Sequence, residues 1–325
     1  MAPDDKFYRA KITQRTDFAP DLWSVRVEPG GEFCFRPGQY ATLGVRGADR
    51  RSERAYSIVS SPHEKEIEFF FELVPDGELT PQLHALQSGD EILMRKVAKG
   101  RFLLDTNGPR KNHLLVSTVT GIAPFISYIR SLDKDSRDGT FPEGHRVFLL
   151  TGGSRSWELA YHDEVARLAS EANWLTYVAT ISRPWEDEKW NGETGRVDDV
   201  LRKYTDRGLT GEDTLAYLCG HPQMIEQSKS ILQRKGLPKE AIKEEVYWIP
   251  AKSAPRGSTK AGDRRAPSRL GSESYESIAD TNVQLFRLSV LIQTSRLKVR
   301  FLPRSPIFSM IYAQKARTEA LLTRY

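Results

Sequence analysis

The chain changes its hydrophobic rhythm at Asn107-Gly108-Pro109, and this change limits the possible folds more than any other feature. Before it, short segments at Tyr8–Thr13, Leu22–Val27, Tyr40–Val45, Tyr56–Val59, Ile67–Val74 and Glu91–Val97 are divided by Pro29-Gly30-Gly31, Pro37-Gly38, Ser61-Pro62 and Asp76-Gly77. Gly and Pro at this spacing end strands, so a small antiparallel barrel or sandwich is predicted, with one short helix at Thr80–Leu86. After the change, apolar strand segments stand at His113–Ser117, Val147–Leu150, Leu175–Ile181 and Thr214–Leu218. Between them run helical patterns at Pro124–Ser131, Leu159–Ala169, Val197–Tyr204 and Pro222–Lys235. Such alternation implies βαβ units and a parallel sheet with flanking helices. A boundary near residues 105–111 is predicted, with a β domain over 1–108 and an α/β domain over 109–248.

Residues 249–325 continue neither pattern. The stretch 249–280 is rich in Ser, Ala, Arg, Gly and Pro and reads as a disordered linker, while Thr281 to Thr318 is apolar and basic without one acid. The net charge of +5 divides accordingly: residues 249–325 hold 14 Lys/Arg against five Asp/Glu, which leaves −4 on the rest. A mildly acidic body argues against nucleic acid as its partner, and the basic extension suits an acidic protein or a membrane surface. Two cysteines, Cys34 and Cys219, are too few for a disulfide framework or an iron–sulfur cluster, so a reducing cytoplasm is expected. The acidic opening lacks a secretory apolar region, and no apolar run approaches the ~20 residues of a membrane span. The six histidines have no metal-ligand spacing, and no metal is expected.

Three segments carry candidate chemistry. In Ser117-Thr118-Val119-Thr120-Gly121-Ile122-Ala123-Pro124 a strand passes through small residues into a helix, whose unpaired N–H groups and dipole suit a pyrophosphate. The three-glycine dinucleotide fingerprint is absent, so by spacing alone this is equally an ordinary strand–helix turn. The next strand ends in Thr151-Gly152-Gly153-Ser154-Arg155, where a ribose-binding acid is common; a hydroxyl and a guanidinium suit a 2′-phosphate instead. Arg183 and Arg196 follow later strand ends and could converge on the same phosphate. Cys219-Gly220-His221-Pro222 closes the fourth strand, with Cys219 readable as a small buried hydrophobe and with no base beside it for nucleophilic work.

Taken together, residues 7–248 resemble the ferredoxin–NADP⁺ reductase family of the bacterial type. The resemblance rests on Pro37-Gly38-Gln39-Tyr40, Arg54-Ala55-Tyr56-Ser57, Asp76-Gly77-Glu78-Leu79-Thr80, Thr120-Gly121-Ile122-Ala123-Pro124-Phe125, Cys219-Gly220-His221-Pro222-Gln223-Met224 and Glu245-Val246-Tyr247-Trp248. It implies a Greek-key β-barrel for FAD and a Rossmann-like domain for NADP(H), with hydride transfer between NADPH and flavin N5 and one-electron exchange with ferredoxin or flavodoxin. A monomer is expected.

By the same resemblance, Arg54 would contact the FAD diphosphate, Tyr56 would stack on the isoalloxazine and Ser57 would lie near N5. Ala55, Phe71, Glu72, Leu73, Glu78, Leu79 and Thr80 would complete the FAD site. Thr120 would sit between the cofactors. Gly121, Ser154, Arg155, Arg183, Arg196 and Gly220 would bind NADP(H), with Cys219 against the nicotinamide. Glu245 would share a proton relay with Ser57, and Tyr247 and Trp248 would cover the flavin. Val119 departs from the family's usual glycine and keeps the backbone farther from the pyrophosphate. Two other functions are expected less: the reductase component of an oxygenase, and a binder of anionic membranes or polymers driven by the basic extension.

Overall fold

A computed structural model describes residues 6–45, 52–206 and 212–247. Trp248 and the extension 249–325 lie outside the described residues, as do the expectations placed on them. The first half holds β1 (Phe7–Ala19), β2 (Leu22–Glu28), β3 (Tyr40–Gly44), β4 (Glu53–Ser57), β5 (Ile67–Glu72), α1 (Thr80–Ala85) and β6 (Glu91–Arg95). Its six strands form one antiparallel sheet in the order β4-β3-β6-β1-β2-β5. The two edge strands meet through an antiparallel bridge between Ile58 and Phe69, which curls the sheet into a barrel. Closure removes the exposed edges that an open sheet would present.

β2 and β5 have no solvent face, and their alternation shows why. Trp23, Val25, Val27, Ile67, Phe69 and Phe71 point into the barrel core. The intervening Leu22 and Phe70 join the core of the second half, so one face of each strand serves each half. Glu68 shares that outer face and is buried. Its carboxylate accepts hydrogen bonds from Arg26 Nη2 at 2.8 Å, Arg130 Nη1 at 2.7 Å and Tyr161 OH at 2.9 Å. Arg130 also holds Glu164 through two bonds of 2.7 and 2.8 Å. A buried charge needs such pairing, and here the pairing crosses from the barrel to the helices.

The second half contains β7 (Asn112–Thr118), α2 (Ala123–Asp138), β8 (Arg146–Gly153), α3 (His162–Glu171), β9 (Leu175–Ile181), β10 (Glu193–Thr194), α4 (Val197–Thr205), β11 (Thr214–Gly220), α5 (Pro222–Arg234) and β12 (Ile242–Val246). All its strands are parallel, in the order β10-β9-β8-β7-β11-β12. Strand order reverses between β7 and β11. In open α/β sheets the crevice beyond the carboxyl ends at such a reversal is where ligands bind. At the opposite end of the sheet, buried His113 and His145 share a 2.7 Å hydrogen bond. Burial pulls the His113 pKa down to about 4. No helix among the described residues is long and apolar enough to cross a membrane.

Candidate functional site

The carboxyl ends of β7, β8 and β11 face β4 across a cleft of about 1080 Å³. That exceeds the ~300–1,000 Å³ typical of one small-molecule site and leaves room for two nucleotide-sized ligands. Its walls include Arg54, Ala55, Tyr56, Ser57, Phe71, Glu72, Glu78, Leu79 and Thr80 from the barrel. From the parallel sheet come Thr120, Ser154, Arg196 and Gly220, and Tyr247 closes one end.

The turns after β7 and β11 interlock, which accounts for their small residues. A Cβ on Gly121 would lie 2.3 Å from the Cys219 carbonyl oxygen, and one on Gly220 would lie 2.4 Å from Thr118 Oγ1. Gly220 also has φ +132°. Gly121 therefore serves to dock the turn on β11 and is itself buried, a different task from touching a phosphate. Thr118 Oγ1 accepts the His221 N–H at 2.9 Å, and His221 Nδ1 caps α5 by accepting the Gln223 N–H.

Val119 sits in this turn at φ +44°, the one positive φ outside glycine among the described residues. A β-branched residue there is strained, at a cost of roughly 1–3 kcal/mol. Val119→Gly should relieve the strain, and after the extra chain entropy of glycine a gain of about 1 kcal/mol is expected, or a few degrees in Tm. Thermal unfolding measures it, and an unchanged or lower Tm would show that the turn carries no such strain.

On the barrel side, the Tyr56 ring stands edge-on to Phe71 at 4.8 Å, and Phe71 stacks on Trp23 at 5.3 Å. Phe71 is 1% exposed, so it supports the Tyr56 ring from behind; Leu73 packs against the barrel core. Burial raises the Tyr56 pKa to about 12, which keeps its ring neutral. Arg54 pairs with Glu78 at 3.2 Å on the surface. Thr80 Oγ1 is engaged with the backbone of Val74, accepting its N–H at 3.0 Å and donating to its carbonyl at 3.1 Å. An aromatic platform beside a weakly held guanidinium fits the ring and diphosphate of FAD.

Between the halves lies a chain of hydrogen bonds. Tyr247 OH donates to Ser57 Oγ at 3.1 Å, and Ser57 Oγ donates to Glu245 Oε2 at 2.9 Å. β12 creates this contact: its pairing on β11 sets Glu245 beside Cys219. Burial pushes the Glu245 carboxyl up to about 7, partly opposed by the Ser57 bond. Cys219 is fully buried, and burial and the Glu245 charge raise its thiol well above the usual range. It is a protonated thiol packed behind Tyr247, and reaches the cleft only if that ring moves.

The three arginines are not equivalent. Arg155 Nε donates to Glu186 at 2.6 Å, Arg183 pairs with the same carboxylate at 3.6 Å, and Arg155 also reaches Glu158 at 3.3 Å. Arg196 bonds Asp198 at 3.2 Å and Gln227 at 3.3 Å. Only Arg196 of the three lines the cleft, so convergence of all three on one point is not what the structure shows. The reading by residue type quoted Thr118 and His221 within their motifs without giving either a role, and it passed over Glu158 and Glu186; the one available signal for these was an acid four residues after Ser154.

Two family models match in the order the fold requires: an oxidoreductase FAD-binding domain over residues 10–103 and an oxidoreductase NAD-binding domain over residues 115–230. The chain is 33% identical over 245 residues to a ferredoxin–NADP reductase of Pseudomonas aeruginosa, covering 71% of this chain and 90% of that one. It is 27% identical over 241 residues to the reductase component of a propane 2-monooxygenase from Mycolicibacterium goodii, covering 71% of this chain and 64% of that one. A ferredoxin NADP⁺ reductase from Neisseria gonorrhoeae, solved with FAD and NADP, superposes with a TM-score of 0.65 at 26% identity, over 75% of this chain and 99% of that one. With the barrel, the parallel sheet and the cleft between them all accounted for, the chain belongs to the ferredoxin–NADP reductase family.

Proposed function

We propose that the protein is an FAD-dependent NADPH:ferredoxin (or flavodoxin) oxidoreductase, with the barrel as FAD domain and residues 109–248 as NADP domain. The observation that carries this reading is the Tyr247–Ser57–Glu245 chain, which sets a proton-holding group at the junction of the two halves. When bound, FAD supplies the exchange between the two electrons of a nicotinamide and the single electrons of a carrier.

The protein's own part follows from its residues. Tyr56 offers a ring face, and its support by Phe71 and Trp23 fixes that ring in advance. Arg54 can leave Glu78 for a diphosphate at small cost, because an exposed ion pair contributes only about 0–1 kcal/mol. Ser57 Oγ both accepts and donates, so when Glu245 is protonated and turns its O–H to Ser57 Oγ, the hydroxyl can release its own proton into the cleft as it takes the one from Glu245. With its pKa near 7, Glu245 can hold or release that proton at neutral pH. Tyr247 shields Cys219 and Ser57 from water, and a nicotinamide must displace it to enter, which makes entry a gated step.

The name of the Pseudomonas aeruginosa relative supports ferredoxin as the carrier, and the propane monooxygenase reductase supports the oxygenase alternative. The test is NADPH-dependent electron delivery to separately purified ferredoxin and flavodoxin. Turnover with at least one is expected; turnover confined to an oxygenase component would assign the second reading.

A further inference from the structure

The strand-end region after β8 is crowded with the chain's own anions. Glu158 Oε2 accepts the Ser154 N–H at 2.7 Å, and Asp187 Oδ2 accepts the Ser156 N–H at 3.3 Å. Glu186 is shared by Arg155 and Arg183, and Arg155 lies 5.6 Å from the Trp157 ring centre. The groups that would hold a 2′-phosphate, two guanidinia and the backbone N–H of Ser154, are thus all engaged by carboxylates. Two different consequences follow. A phosphate on Arg155 competes with Glu186, whose carboxylate already takes both Nε and Nη2 of that guanidinium. A ribose with a free 2′-hydroxyl meets no such opposition, and an acid near this strand end is the usual acceptor for that hydroxyl. Glu158 lies just beyond this strand end, its Oε2 held by the Ser154 N–H and its Oε1 by Arg155.

We infer that Glu158 and Glu186 are the specificity-determining residues of the dinucleotide site, lowering its preference for NADPH over NADH: Glu186 as an internal anion that competes with the 2′-phosphate, Glu158 as an acceptor for the 2′-hydroxyl. This rests on the reading of Arg155 and Arg183 as phosphate ligands. It also revises the expectation that no ribose-binding acid is present, because that acid comes from the turn beyond the strand end.

The experiment titrates the full-length protein and its Glu186→Gln, Glu158→Gln and Arg155→Ala variants by calorimetry with adenosine 2′,5′-bisphosphate and with AMP, and measures kcat and KM for NADPH and NADH. Glu186→Gln should bind the bisphosphate about tenfold more tightly, with the ratio of kcat/KM for NADPH to NADH rising through KM. Glu158→Gln should raise the same ratio, chiefly by increasing KM for NADH. Arg155→Ala should weaken the bisphosphate more than AMP. If Arg155→Ala behaves so but both glutamine variants leave the ratio within about twofold, the inference is overturned and the phosphate site stands. If Arg155→Ala leaves the bisphosphate affinity unchanged, the phosphate reading fails and the inference with it.

Discussion

Glu245→Gln and Ser57→Ala should each slow flavin reduction by NADPH by roughly 10²-fold, at the low end of what a positioned acid–base group contributes. Both side chains belong to one hydrogen-bonded chain, so the double variant should lose little more than either single one. The glutamine keeps the shape and the bond to Ser57 but cannot release a proton, which separates chemistry from packing. The pH profile adds a signature. A carboxyl near 7 is protonated below that pH and empty above it, so a rate that draws on its proton falls as pH rises through 7. That bend should vanish in Glu245→Gln. Stopped-flow absorbance measures both effects; parent rates and an unaltered profile in the variants would remove the chain from the mechanism.

Replacing Arg54 and Tyr56 together by Ala should abolish retention of FAD through purification. Loss of a charge-assisted diphosphate contact costs about 1.5–3 kcal/mol, and loss of a stacked ring adds about 0.5–1.5 kcal/mol beyond its buried area. The sum corresponds to an affinity loss of roughly 10³-fold. Neither residue belongs to the buried core of the barrel, so the variant should still fold. Flavin fluorescence in the flow-through against the retained fraction decides it, and a variant that keeps its flavin would place FAD elsewhere.

The two sheets were legible because their signals are local: turn residues bounded the barrel strands, and apolar runs marked the parallel ones. What escaped was structure without an apolar pattern. α2 runs to Asp138, well past the expected Ser131, because its last turns face solvent. Those turns hold through Asp133–Arg137 and Lys134–Asp138 pairs and end at Gly139 with φ +75°. β12 is an edge strand of three charged and two apolar residues, so no rhythm announces it. Its Glu245 was found through the family resemblance alone. Glu68 carries no signal of its own in the sequence, yet it is the buried junction of Arg26, Arg130 and Tyr161, partners that lie far apart in sequence. Glu158 and Glu186 were missed for a related reason: motif reading looks for the ligand's partners, and these are competitors for them.

The central claim is that the cleft holds FAD and that NADPH reduces it. It is tested most directly by the visible spectrum of the full-length protein during anaerobic titration with NADPH. A two-banded flavin spectrum, or one regained on adding FAD, that bleaches on addition of NADPH is the predicted result. A colourless protein that takes up no added FAD, or a bound flavin that NADPH leaves oxidised, would contradict the account.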